Sequence, residues 1–117
     1  MILNIRDITG EYAISADHGQ QVYDQIHSDL LDGRSVELDF AEVKIFASAF
    51  FNFAIGQLLK DISTDDLNQL LKISNLNPSG TSILHHIITS AKRYYSDSQY
   101  QTAVGAVMDE YAASFEA

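Results

Sequence analysis

The chain has no cysteine. That excludes a disulfide framework, a zinc–thiolate centre and a thiol nucleophile, and it fits a reducing, cytoplasmic setting. Proline occurs once, at Pro78, and the glycines are scattered, so none of them forms a phosphate-cradling loop. Basic residues are scarce: seven Lys and Arg stand against sixteen Asp and Glu, for a formal charge of −9. Phosphate backbones are held by clustered Lys and Arg, so nucleic acid is not an expected partner. Long apolar runs are also missing. The longest, residues 45–59, is interrupted by Ser48, Asn52, Gly56 and Gln57, and is too short and too polar to span a bilayer. The opening MILNIRDITG has no basic stretch leading into an apolar one, so neither a signal peptide nor a membrane partner is expected. There is no P-loop, GxGxxG, nucleophile elbow or HExxH. The chain is therefore expected to be non-catalytic, with no cofactor and no metal.

What is present suits one α/β domain of 117 residues, large enough to bury a core unaided. Strand-like and helix-like segments alternate. Residues 1–5 and 12–14 read as strands separated by a turn at Thr9-Gly10-Glu11. Ser15 or Asp17 caps a helix, with Gln20 in capping-box position to Asp17. Val22, Ile26 and Leu30 form its apolar stripe and Gly33 its left-handed end. Residues 35–40 alternate with period two, so Val36, Leu38 and Phe40 share a face. Ser63-Thr64-Asp65-Asp66 reads as a helix start and residues 70–74 as a strand. Asn77-Pro78-Ser79-Gly80 opens the clearest amphipathic helix, carried by Ile83, Leu84, Ile87, Ile88, Ala91, Tyr94 and Tyr95. A last helix from Asp97 places Tyr100, Val104, Val107 and Tyr111 at helical spacing, to pack on the domain or on an oligomer partner.

A helix is expected from Ser48 to about residue 61. On a wheel of about 100° per residue, Phe50, Phe51, Ala54, Ile55, Leu58 and Leu59 fill the buried side. The opposite side carries Asn52, Gln57 and Lys60, but also Ala49, Phe53 and Gly56. A glycine there costs about 1 kcal/mol against alanine, which close approach of another backbone or a partner would explain. Asn52, Phe53, Gly56, Gln57 and Lys60 are therefore the candidate partner-binding residues, with Phe53 alternatively packed under a loop or the C-terminal helix. Ser48 reads as an N-cap. It is also a candidate phosphoacceptor, because a helix N-terminus favours negative charge.

Residues 36–51, VELDFAEVKIFASAFF, resemble the central segment of STAS domains, the group that includes anti-sigma factor antagonists. Leu38-Asp39-Phe40 matches the family's strand end, Val43 its bend valine and Ser48 its first serine. Residues 70–78, LLKISNLNP, resemble the following strand and its lead into a helix. The family's aspartate before the serine is Ala47 here, its second serine Ala49, its glycine Phe50 and its bend glycine Glu42. This pattern is closest to a divergent STAS-like group of unknown function. The resemblance covers residues 1–95. It implies a mixed β-sheet covered by helices, with residues 97–117 as an extra C-terminal helix. It further implies a bacterial regulatory module that binds a protein partner, an anti-sigma factor or a histidine-kinase-like ATPase, under control of Ser48 phosphorylation.

His85 and His86 are adjacent on the amphipathic helix, with Lys92 and Arg93 seven residues on. Adjacent histidines do not share one metal. The four make a small basic strip that suits either a solvated helix end or an anion. Two other functions remain open at this level: a structural subunit that homo-oligomerises through the C-terminal helix without any switch, and a sensor of small phosphorylated ligands using the basic strip.

Overall fold

The computed structural model describes residues 1–96. The expected C-terminal helix from Asp97 lies outside the described residues. Eleven elements follow one another: β1 (Ile2–Asn4), α1 (Arg6–Thr9), β2 (Tyr12–Ala13), α2 (Ala16–Leu31), β3 (Val36–Asp39), β4 (Ile45–Phe46), α3 (Ser48–Ala54), a 3₁₀ turn (Gly56–Lys60), α4 (Thr64–Leu70), β5 (Leu71–Ser74) and α5 (Pro78–Ser96). The strands form two sheets, β1-β3-β5 and β2-β4. Among the described residues every pairing is parallel, with Ile2 opposite Glu37, Val36 opposite Leu71 and Tyr12 opposite Ile45. Parallel pairing needs long crossovers, and α2 and α3 supply them.

The period-two pattern of β3 places Val36, Leu38 and Phe40 in the core, while Glu37 and Asp39 stay half-exposed. Val22, Ile26 and Leu30 of α2 are fully or almost fully buried. Each contributes about 1.5–3 kcal/mol by leaving water. Gly33 ends α2 at φ 78°, where glycine alone is unstrained. Ser15, not Asp17, caps α2, its hydroxyl accepting from the His18 N–H at 3.1 Å. Gln20 instead donates to Asp24 at 2.9 Å. Ser63 caps α4 by accepting from the Asp66 N–H, and Asn77 Oδ1 accepts from the Gly80 N–H at 2.7 Å.

Residues 48–61 do not form one helix. At Ile55 (φ −125°, ψ −44°) α3 stops, and a 3₁₀ turn begins at Gly56. Gly56 is the weakest helix former of the segment. The tighter turn also brings Ile55 and Leu58, three residues apart, onto the core side, where both are fully buried. No described helix is long and apolar enough to cross a membrane.

Candidate functional site

The β2-β4 ribbon organises the surface around Ser48. The strands are parallel, so both hand over to a helix at the same edge, as in other parallel α/β sheets. Ala47 N–H donates to Ala13 O at 3.1 Å just before that edge. α2 starts three residues beyond Ala13, and α3 starts at Ser48. Their N-terminal turns leave side by side, and their packing is close enough to exclude a side chain. A Cβ added to Gly19 would lie 2.4 Å from Phe50 O and 2.9 Å from the Phe53 Cβ.

Ser48 is not the N-cap. Ala47 holds that position, in extended conformation, and offers no side-chain acceptor. Ser48 is the first helical residue, with its side chain exposed. Alanine is a poor N-cap, so Ala47→Asp is expected to raise stability by about 1 kcal/mol, read as a higher midpoint in urea. An unchanged midpoint would show that this end of α3 gains nothing from a cap.

Along the ribbon, Tyr12, Ile14 and Ile45 are 52%, 48% and 52% exposed. Tyr12 is the register partner of Ile45, so the two share one face of the ribbon, and Ile14, two residues beyond Tyr12, continues the exposed apolar surface just past the end of β2. This apolar patch ends beside Ser48. The sequence reading missed it, because Ile45 lies in an apolar run whose neighbours Val43 and Phe46 are buried.

The expected partner face on the segment after Ser48 is corrected in part. Gly56 is buried, and a Cβ at this position would lie 3.0 Å from Asn52 Oδ1 and 3.2 Å from Ile87 Cγ2 of α5. The close approach is thus internal. Ala49 is also buried. Asn52, Phe53 and Gln57 are half-exposed and Lys60 is exposed. Gln57 Nε2 donates to Gln20 Oε1 of α2 at 2.9 Å and to Phe53 O. The Phe53 Cβ lies close against α2 at Gly19, and the C-terminal helix expected as its other neighbour lies outside the described residues.

At the end of β3, Asp39 Oδ1 accepts from Asn75 Nδ2 and from the Ala41 N–H, both at 2.9 Å. The Asn75 bond, then the Ala41 N–H, holds the carboxyl below its usual pKa. Asp39 therefore braces its own turn. Three residues later Glu42 has φ 65°. This is the position that carries glycine in the resembling pattern, and its left-handed backbone supports that alignment. Glu42 pairs with Arg6.

The histidines fall in three places. His18 Nδ1 is buried without a hydrogen-bond partner among the described residues. His27 lies 2.8 Å from Asp61 and stacks on Tyr23 at 4.6 Å. Burial first, then Asp61 and Asp24, raises the Tyr23 phenol above its usual pKa. His85, His86, Lys92 and Arg93 are exposed on α5, a different helix from that of Ser48.

No curated protein and no solved structure matches the chain significantly. The family model described as a STAS-like domain of unknown function (DUF4325) matches residues 18–81, from the first turn of α2 to the first turn of α5. That stretch is more than half of the chain, and it holds the whole strand-to-Ser48 junction, so the protein belongs to the STAS-like domain family of unknown function.

Proposed function

We propose that the domain is a non-catalytic regulatory module whose partner docks on the ribbon edge at Ser48. The observation that carries this reading is the exposed Ser48 at the start of α3, bordered by the half-exposed Tyr12, Ile14 and Ile45. A contiguous apolar patch on a charged surface is the usual mark of a protein contact. A phosphate on Ser48 would add nearly two negative charges beside that patch. It would sit favourably at the helix start while opposing an apolar or acidic partner surface. Asn52, four residues on, shares the Ser48 face of α3 and extends the contact. The partner class that fits the family resemblance is an anti-sigma factor or a histidine-kinase-like ATPase, in a cytoplasmic setting.

The test is affinity capture from native cell extract with wild type, Ser48→Ala and Ser48→Asp, with mass spectrometry of Ser48 itself. Wild type and Ser48→Ala are expected to retain one such partner. Ser48→Asp is expected to weaken it at least about tenfold without changing the unfolding midpoint. Equal capture by all three removes the switch, and loss of capture on Ile45→Asp alone would leave the docking surface standing without it.

A further inference from the structure

We propose that residues 97–117 return along α5 and seat Tyr111 and Phe115 on the Tyr12, Ile14 and Ile45 patch, so that the chain covers its own docking surface at Ser48. The seating needs no partner. Its regulatory consequence rests on the docking proposed for Ser48.

The course of α5 brings such a return to the right place. The start of α5 sits on β4. Asn77 Nδ2 donates to Lys44 O at 3.0 Å, one residue before Ile45, and a Cβ at Gly80 would lie 3.0 Å from the Phe46 ring. The last turn of α5 lies by the far end of the 3₁₀ turn, where Tyr23 and Asp61 act on the Tyr95 phenol. Twenty-one residues follow Ser96. As a helix they span roughly 31 Å, against roughly 28 Å for the nineteen residues of α5. Tyr100, Val104, Val107 and Tyr111 recur at helical spacing, and Phe115 extends their stripe by one more turn. Once the chain reverses at Ser96-Asp97-Ser98, Phe115 falls within about one turn of Pro78, at the ribbon edge.

Charge selects both the path and the occupant. The segment carries Asp97, Asp109, Glu110 and Glu116, and no Lys, Arg or His. α2, the other helix packed on α3, exposes Asp17 and Asp24 and would repel it. α5 contains no Asp or Glu. A second copy seated on the patch would bring a further charge of −9. The tethered segment adds no such charge, and it meets the patch at an effective concentration of roughly millimolar order.

The chain has no cysteine, so Ser114→Cys takes a single nitroxide label in the full chain. Heteronuclear NMR then compares amide intensities with the label oxidised and reduced. The amides of residues 12–14 and 45–48 are expected to lose most of their intensity under the oxidised label. Tyr111→Asp with Phe115→Asp on the same labelled chain should restore it, with amide positions away from the patch unchanged. The proposal is overturned if those amides keep their intensity, or if the aspartate pair leaves the loss in place. It is equally overturned if the loss arises between chains in a mixture of spin-labelled and isotope-labelled protein, because the occupant is then a second copy. No partner enters this measurement. Where the segment seats, Tyr111→Asp with Phe115→Asp is expected to raise capture at Ser48 at least about threefold. Seating without that rise counts against docking at Ser48 alone.

Discussion

Gly19→Ala is expected to destabilise the domain by about 2–3 kcal/mol, although alanine is the better helix former. The two effects have opposite signs, and their sizes decide the outcome. Replacing glycine inside α2 gains at most about 1 kcal/mol of helix propensity. The new methyl would meet a backbone oxygen, Phe50 O, at 2.4 Å and the backbone nitrogen of Ala54 at 3.1 Å. Backbone cannot rotate away as a side chain can, so α2 and α3 must move apart. Separation loosens the packing of Phe50 and Ala54, both fully buried. Guanidinium unfolding followed by circular dichroism measures the loss as a lower midpoint at unchanged slope. A midpoint equal to or above wild type would mean that the helices are not in backbone contact. Because Gly19 fixes α2 beside the start of α3, the same variant should weaken capture of a partner at Ser48 more than its stability loss alone explains.

Phe51→Ala is expected to cost about 3–5 kcal/mol, a large share of the roughly 5–15 kcal/mol by which ordinary domains are stable. Phe51 is fully buried at the centre of an aromatic cluster. Its ring stacks on Phe46 at 5.4 Å and 16°, lies 5.9 Å from Phe40 and meets Phe50 edge-on at 5.4 Å. These contacts tie β3, β4 and α3 together, and the aromatic geometry adds to the area buried. Phe51→Leu keeps most of the volume and should cost about 1.5 kcal/mol or less. Urea titration of both variants gives the comparison. Equal midpoints for alanine and leucine would place the ring outside the stabilising cluster.

The contrast between these residues marks what the sequence carried. Val22, Ile26 and Leu30, and the alternation of Val36, Leu38 and Phe40, repeat with the period of their element, so burial could be read from spacing. Ser63 and Asn77 are caps whose bonding is local, and both were legible for the same reason. Gly19 is different. Its neighbours in sequence are polar, and the helix it makes room for begins twenty-nine residues later at Ser48. A glycine inside an otherwise continuous helix was the available signal. Gly56 carries the same signal, and its close approach is internal rather than outward. The wheel assumed a straight helix from Ser48, and the break at Ile55 turns Gly56 inward under Ile87. Parallel pairing and the short α1 were not legible either, since neither leaves a periodic trace. The Tyr12, Ile14 and Ile45 patch needed the β2-β4 register before three separate apolar residues became one surface.

The parallel ladders also set the order in which the molecule can assemble. β1 pairs with β3, and β3 with β5, each across thirty-five residues, as Ile2 with Glu37 and Val36 with Leu71 show. Such non-local contacts are slow to form, because loop closure must precede any gain from pairing. During synthesis the central strand finds its second neighbour only after residue 74 has left the ribosome. Until then β3 is an edge strand, with the apolar side formed by Val36, Leu38 and Phe40 only partly covered. The interval between the emergence of residues 40 and 74 is thus the period in which this chain is most exposed to self-association, and in which a chaperone has most to shield.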